Sequence, residues 1–153
     1  VAAVAGGTGL ATWASQGHPA ADADPPPPSW AVVLRQLTDA RAAAFAAADP
    51  RGLDAADAAG SPLRAADEGR IADLVRVGRR PRGFHDEPSA VRVVSGGPAE
   101  TVLEFTDLQP AYEEVDTAGV VRQRVAAAPV QRDRARLVRT AGGWRLAEVT
   151  VLG

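Results

Sequence analysis

No cysteine, methionine, lysine or asparagine occurs anywhere in this sequence, and Ile71 is its one isoleucine. Without cysteine there is no disulfide, no thiol nucleophile and no thiolate metal ligand, and an extracytoplasmic location is permitted without being required. Without asparagine, Asn-linked glycosylation is excluded. Without lysine the basic set is entirely arginine. Alanine, glycine, proline and arginine abound instead, the pattern of codon usage in a GC-rich genome, so the arginines do not by themselves advertise phosphate binding. Strong net charge is missing too: the formal value is −2, with 46% hydrophobic residues. That balance describes a globular chain. A domain of roughly 120 residues buries about two-thirds of its unfolded surface and folds without a metal or a disulfide.

A full-length apolar span is also absent. Residues 1–14, "VAAVAGGTGLATWA", are uncharged and apolar, but a bilayer asks for about 20 residues. The segment reads as the outer part of a membrane or signal segment, with Trp13 at its edge where interfacial tryptophans sit. Residues 15–28 form a Pro-rich, extended linker ending in four prolines. The glycines of "VAAVAGGTGLA" superficially suggest a dinucleotide loop. That loop needs a helix next and a second strand within about 30 residues, and the prolines forbid it.

The domain proper spans 29–153. Trp30, Val33, Leu34, Leu37, Ala40, Ala44, Phe45 and Ala48 recur at three- and four-residue spacing, which predicts a helix capped by Ser29 and stopped at Asp49-Pro50. "RGLDAADAA" predicts a short helical piece. Ser61-Pro62 opens another helix, with Leu63, Ala66, Ile71, Leu74 and Val75 as its apolar face and Gly78 as its stop. After "RRPRGFHDEPS" the period falls to two. "AVRVV" and "TVLEFTDL" predict strands around the turn "SGGPAE", and "PAYEEVDTAGVV" holds a further short strand and turn. "VQRDRARLVRT" and "WRLAEVTVL" predict a hairpin through Gly142-Gly143. Helices followed by an antiparallel meander mean an α+β fold, with the N-terminal helices packed on a curved antiparallel sheet.

Charge supports neighbouring strands. Residues 100–116 carry only acidic charges, whereas 122–145 carry arginines with Asp133 as the one exception. Laid side by side, these sets pair across the sheet. The arginines at 132, 134 and 136 lack interleaved aromatics, so no nucleic acid is expected.

The stretches "WAVVLRQLTDARAAAFAAADPRGL", "GSPLRAADEGRIADLVRVG", "PAYEEVDTAGV" and "VRTAGGWRLAEV" together cover residues 30–150. In that order they resemble the cone-shaped α+β fold of the nuclear-transport-factor-two-like superfamily. More narrowly, they resemble the domain found outside the membrane in small anchored proteins of high-GC bacteria. The resemblance implies a bent sheet around a long first helix, with a pocket or its filled remnant between them. It makes Phe45, Phe105, Tyr112 and Trp144 the candidates for lining that pocket, Trp144 reading as core ahead of pocket wall. It also admits homodimers. Relatives of this fold include isomerases, dehydratases and cyclases beside members with no reaction, so fold alone assigns no activity.

Catalytic candidates are few. His85 is the domain's only histidine and lies in a charged loop segment. Tyr112 with Asp107 or Asp116 is the most suggestive set, since a Tyr donor beside a carboxylate stabilises an enolate. No Gly-x-Ser-x-Gly elbow, Walker loop, calcium loop or metal-ligand spacing occurs. No cofactor and no metal is expected. The sequence therefore predicts a non-catalytic, extracytoplasmic, membrane-anchored domain that binds an envelope protein or a hydrophobic small molecule. The alternative is a small isomerase- or cyclase-type enzyme using the pocket Tyr/Asp pair.

Overall fold

The computed structural model describes residues 28–153. The expected membrane segment and nearly all of the Pro-rich linker lie outside the described residues. Among the described residues, no helix is long and apolar enough to cross a membrane.

Helix α1 spans Trp30–Ala47. Ser29 holds the N-cap position, but its side chain makes no capping bond; only its carbonyl accepts, from the Val33 amide at 3.0 Å. The helix ends where Ala48 turns left-handed, and the Asp49 amide closes back on the Ala44 carbonyl. A 3-10 turn follows over Pro50–Ala55. Gly52 presses on α1 there: a Cβ at this position would stand 2.9 Å from the Ala44 Cβ, so close packing requires glycine. Helix α2 spans Pro62–Arg76, with the Ser61 hydroxyl accepting from the Arg64 amide at 3.2 Å.

The inner face of α2 departs from the apolar pattern. Its inward stripe runs through Leu63, Asp67, Ile71 and Leu74, with Asp67 and Ile71 buried. Val75, expected on that face, is 56% exposed. The helix touches the rest of the domain over one narrow stripe, and Val75 lies off it.

Seven strands follow: β1 Arg79–Arg82, β2 Ser89–Gly96, β3 Glu100–Asp107, β4 Tyr112–Asp116, β5 Val121–Val125, β6 Gln131–Thr140 and β7 Gly143–Leu152. They do not form one meander. A four-stranded antiparallel sheet has the order β2-β3-β6-β7, and a three-stranded one has the order β1-β4-β5. Pro110 and Pro129 interrupt the chain on either side of the β4–β5 hairpin, which pairs with β1 while β6 returns to β3. Strand β1, "RRPR", has no apolar alternation to reveal it, and its proline sits at a sheet edge where a missing amide is tolerated.

The expected charge pairing is present. Glu104 lies across from Arg134 and bonds Arg92, Arg132 and Arg134 together. These guanidiniums, Arg134 foremost, hold its carboxyl below the usual range. Under the sheet, Leu34, Leu37, Leu103, Phe105, Ala135, Leu137 and Leu146 make the main core. Ala44, Phe45, Leu53 and Ile71 make a second core, with Leu74 and Phe84 packed against it.

Candidate functional site

A cavity of about 280 Å³ opens between the two helices and the inner face of the larger sheet. Alternation along β3 and β6 builds its floor: Phe105 and Asp107 project from one strand, Gln131 and Asp133 from the next. Helical spacing builds its roof. Leu34, Thr38 and Arg41 lie on one face of α1, and Asp67 and Arg70 belong to α2. Phe84 and Asp86 close the side from the loop after β1.

Arg41 ties the roof together. Its guanidinium donates to both oxygens of Asp67, at 2.8 Å from Nη2 to Oδ1, and from Nη1 to Asp86 Oδ2 at 3.2 Å. Arg41 is 14% exposed and Asp67 only 1%. Burial works against the guanidinium's charge, but Asp67 and then Asp86 overcome it, so its pKa rises. This is the forked, charge-assisted geometry that arginine supplies best.

The floor carboxyls lack such partners. Oδ1 of Asp107 and Oδ1 of Asp133 are buried without a hydrogen bond. Asp107 faces Gln131 across the ladder and Asp133 faces Phe105, so the two aspartates are diagonal neighbours on one face. Burial first, then the charges of Asp86 and Asp133, push Asp107 up to about 6. Burial also raises Asp133, against a 3.3 Å bond from Gln131 Nε2. Asp86 is raised by burial too, with Arg41 opposing. Such a floor can accept protons near neutrality, or hold a group that brings its own N–H donors.

A second cavity of about 300 Å³ lies beyond Phe84, lined by Phe45, Leu74, Val77, Pro81, Tyr112 and others. The Phe84 ring stands 5.3 Å from both Phe45 and Tyr112. The candidates predicted from sequence therefore scatter. Asp107 and Phe105 line the first cavity, whereas Tyr112 and Phe45 line the second. Asp116 caps the β4–β5 turn, accepting from the Ala118 and Val120 amides and pairing with Arg122. The Tyr112, Asp107 and Asp116 set is not assembled, because β4 leaves β3 for the other sheet. Trp144 lines neither cavity; it packs edge-on against Trp30 at 5.0 Å, with Arg139 over its ring. His85 is 45% exposed, bonded to the Gly83 carbonyl and Glu87.

Arg41, Asp67, Asp86 and Asp133 are not among the site residues expected from the sequence. A signal existed for three of them, since each is a charge set on an apolar stripe: Arg41 between Leu37 and Phe45, Asp67 between Leu63 and Ile71, Asp133 in alternation with Ala135 and Leu137. Asp86, in a loop, gave none. Among the described residues, no group of three acids or histidines is placed to hold a metal.

The chain matches no family model and no curated protein. Solved structures do resemble it. The intermembrane space region of the chloroplast protein ARC6 aligns with a TM-score of 0.56 and 16% identity, over 80% of this chain and 92% of that one. Aln2 from a Streptomyces species aligns at 0.52 and 20%, over 82% and 91%. A protein of unknown function from Mycobacterium tuberculosis aligns at 0.51 and 14%, over 81% and 77%. At such identities the likeness shows the fold alone. It is an α+β fold, helices first and antiparallel sheets after.

Proposed function

We propose that this is a small-molecule-binding domain whose first cavity takes a compact ligand with a basic nitrogen at one end and an apolar body. The carrying observation is the pair of buried, unpartnered carboxyl oxygens on Asp107 and Asp133. An ammonium or amidinium group supplies N–H donors and positive charge to both, removing the cost of leaving them unpaired. The cavity's balance agrees: Asp67, Asp86, Asp107 and Asp133 face only Arg41 and Arg70. Leu34, Phe105 and Leu146 offer contact to the apolar body. As part of this proposal, residues 1–14 attach the domain to a membrane and the cavity works outside the cytoplasm. Fractionation of cells making the full chain tests that attachment, and a wholly soluble cytoplasmic protein refutes it.

Calorimetric titration with benzylamine and with benzoate at pH 7.5 tests the ligand class. Benzylamine binds, benzoate binds at least about tenfold more weakly, and Asp107→Asn with Asp133→Asn removes the difference. Equal affinities refute the reading. A second reading, an isomerase- or cyclase-type enzyme, is favoured by Asp107 itself, whose pKa of about 6 suits a general base near neutrality. It predicts deuterium uptake at the α-carbon of a ketone such as 1-indanone in D₂O, abolished by Asp107→Asn.

A further inference from the structure

Arg70 and Phe84 line both cavities. The partition between the carboxyl-lined space and the aromatic one is thus made of two side chains. Phe84 follows Gly83, whose φ of +80° is a conformation that glycine adopts without strain. Arg70 forms no salt bridge among the described residues; its guanidinium lies 5.9 Å from the centre of the Phe45 ring. The other charges around the second cavity are already paired, Arg76 with Asp73 at 3.1 Å and Glu114 with Arg79 at 3.2 Å. That cavity therefore offers aromatic and aliphatic surface alongside paired charges, with one uncommitted cation at the partition.

We infer that the two cavities form one bipartite site for an elongated arylamine-type ligand. Its basic end rests on Asp107 and Asp133, and its aromatic arm passes Phe84 to stack between Phe45 and Tyr112. Arg70 moves aside with Phe84 and lies against the arm's face, an arrangement guanidinium groups favour. The inference rests on the proposed reading of the first cavity and adds the second half of the ligand.

Benzylamine and 4-phenylbenzylamine share the basic end and differ by one ring, so calorimetry on the full chain separates the two halves. The longer amine is expected to bind about tenfold more tightly, since burying a further ring outweighs displacing Phe84. Tyr112 is the only tyrosine in the chain, so its ring resonances report the second cavity directly. They shift with the longer amine and stay in place with benzylamine. Leu74→Trp fills the second cavity, and Val77→Trp does so from a half-exposed position that spares the fold. Either variant abolishes the tenfold advantage and leaves benzylamine binding intact. If benzylamine binds but the longer amine gains nothing, or keeps its gain in both variants, the bipartite site is refuted and the first cavity's reading stands. If neither amine binds, both fall together.

Discussion

Replacing Asp67 with asparagine keeps the side chain's shape and removes its charge. In the native domain, Asp67 is 1% exposed and accepts from Nε and Nη2 of the Arg41 guanidinium. Breaking a buried pair by removing one partner costs about 3–5 kcal/mol, because the remaining charge stays desolvated. Arg41 keeps Asp86 at 3.2 Å and is itself 14% exposed, so the lower end applies, about 3 kcal/mol. Against a domain stability of about 5–15 kcal/mol that loss is large. Urea unfolding followed by far-UV circular dichroism reads it as a lower midpoint at constant slope. The double replacement Arg41→Met with Asp67→Leu removes both charges and fills the space, and it should recover most of the stability. A loss below about 1 kcal/mol for Asp67→Asn, or a double variant less stable than the single one, refutes the claim that this pair joins α1 to α2.

Asp107→Asn is expected to stabilise the domain at pH 8 and to do so progressively less on acidification, the gain vanishing only below the ordinary carboxylate value of 3.8. The sign follows from the raised pKa. Above about 6 the native state holds a buried charge that unfolding relieves; below the ordinary 3.8 the group is neutral in both states. Unfolding of variant and native chains across this range checks it, and a gain that grows toward low pH contradicts it. Gly52→Ala forces its new methyl into Ala44, and denaturant melts should show a loss of about 1–3 kcal/mol. Ser61→Ala costs about 1 kcal/mol by removing the α2 cap, whereas Ser29→Ala leaves the thermal midpoint nearly unchanged because Ser29 makes no side-chain cap. Equal losses for the two serines would falsify that contrast.

Both helices were legible because Leu34, Leu37 and Phe45, and likewise Leu63 and Ile71, repeat with the helical period. The β6–β7 hairpin was legible because a glycine pair separates two strong strand patterns, although the turn itself is Ala141-Gly142 and Gly143 already opens β7, paired with Thr140. The pairing of acidic β3 with basic β6 was legible in charge alone. The split into two sheets was not, since periodicity shows which face of a strand is apolar and never which strand it joins. Strand β1 was invisible for the related reason that Arg79, Arg80 and Arg82 bury no apolar stripe; Arg79 and Arg82 are held by Glu114 and Glu113 across the ladder. The site stayed hidden because its members break the pattern that marks a core. A search for apolar faces discards a lone charge on such a face, and Arg41, Asp67 and Asp133 are lone charges of this kind. Of the first cavity's lining, the sequence points to Phe105 as an apolar wall and to Asp107, the latter in company with Tyr112 and Asp116, which the fold places elsewhere.

The contact between Trp30 and Trp144 fastens the first turn of α1 to the opening of β7, so the first helix and the last strand share one aromatic clasp. Any tension on the chain ahead of Ser29 enters the fold at Trp30. It meets there not a fraying helix end but a ring wedged against β7, whose hydrogen-bonded ladder with β6 runs nearly its full length. A pull from the N-terminal side is thereby spread over the largest sheet before it reaches the helices that roof the cavity.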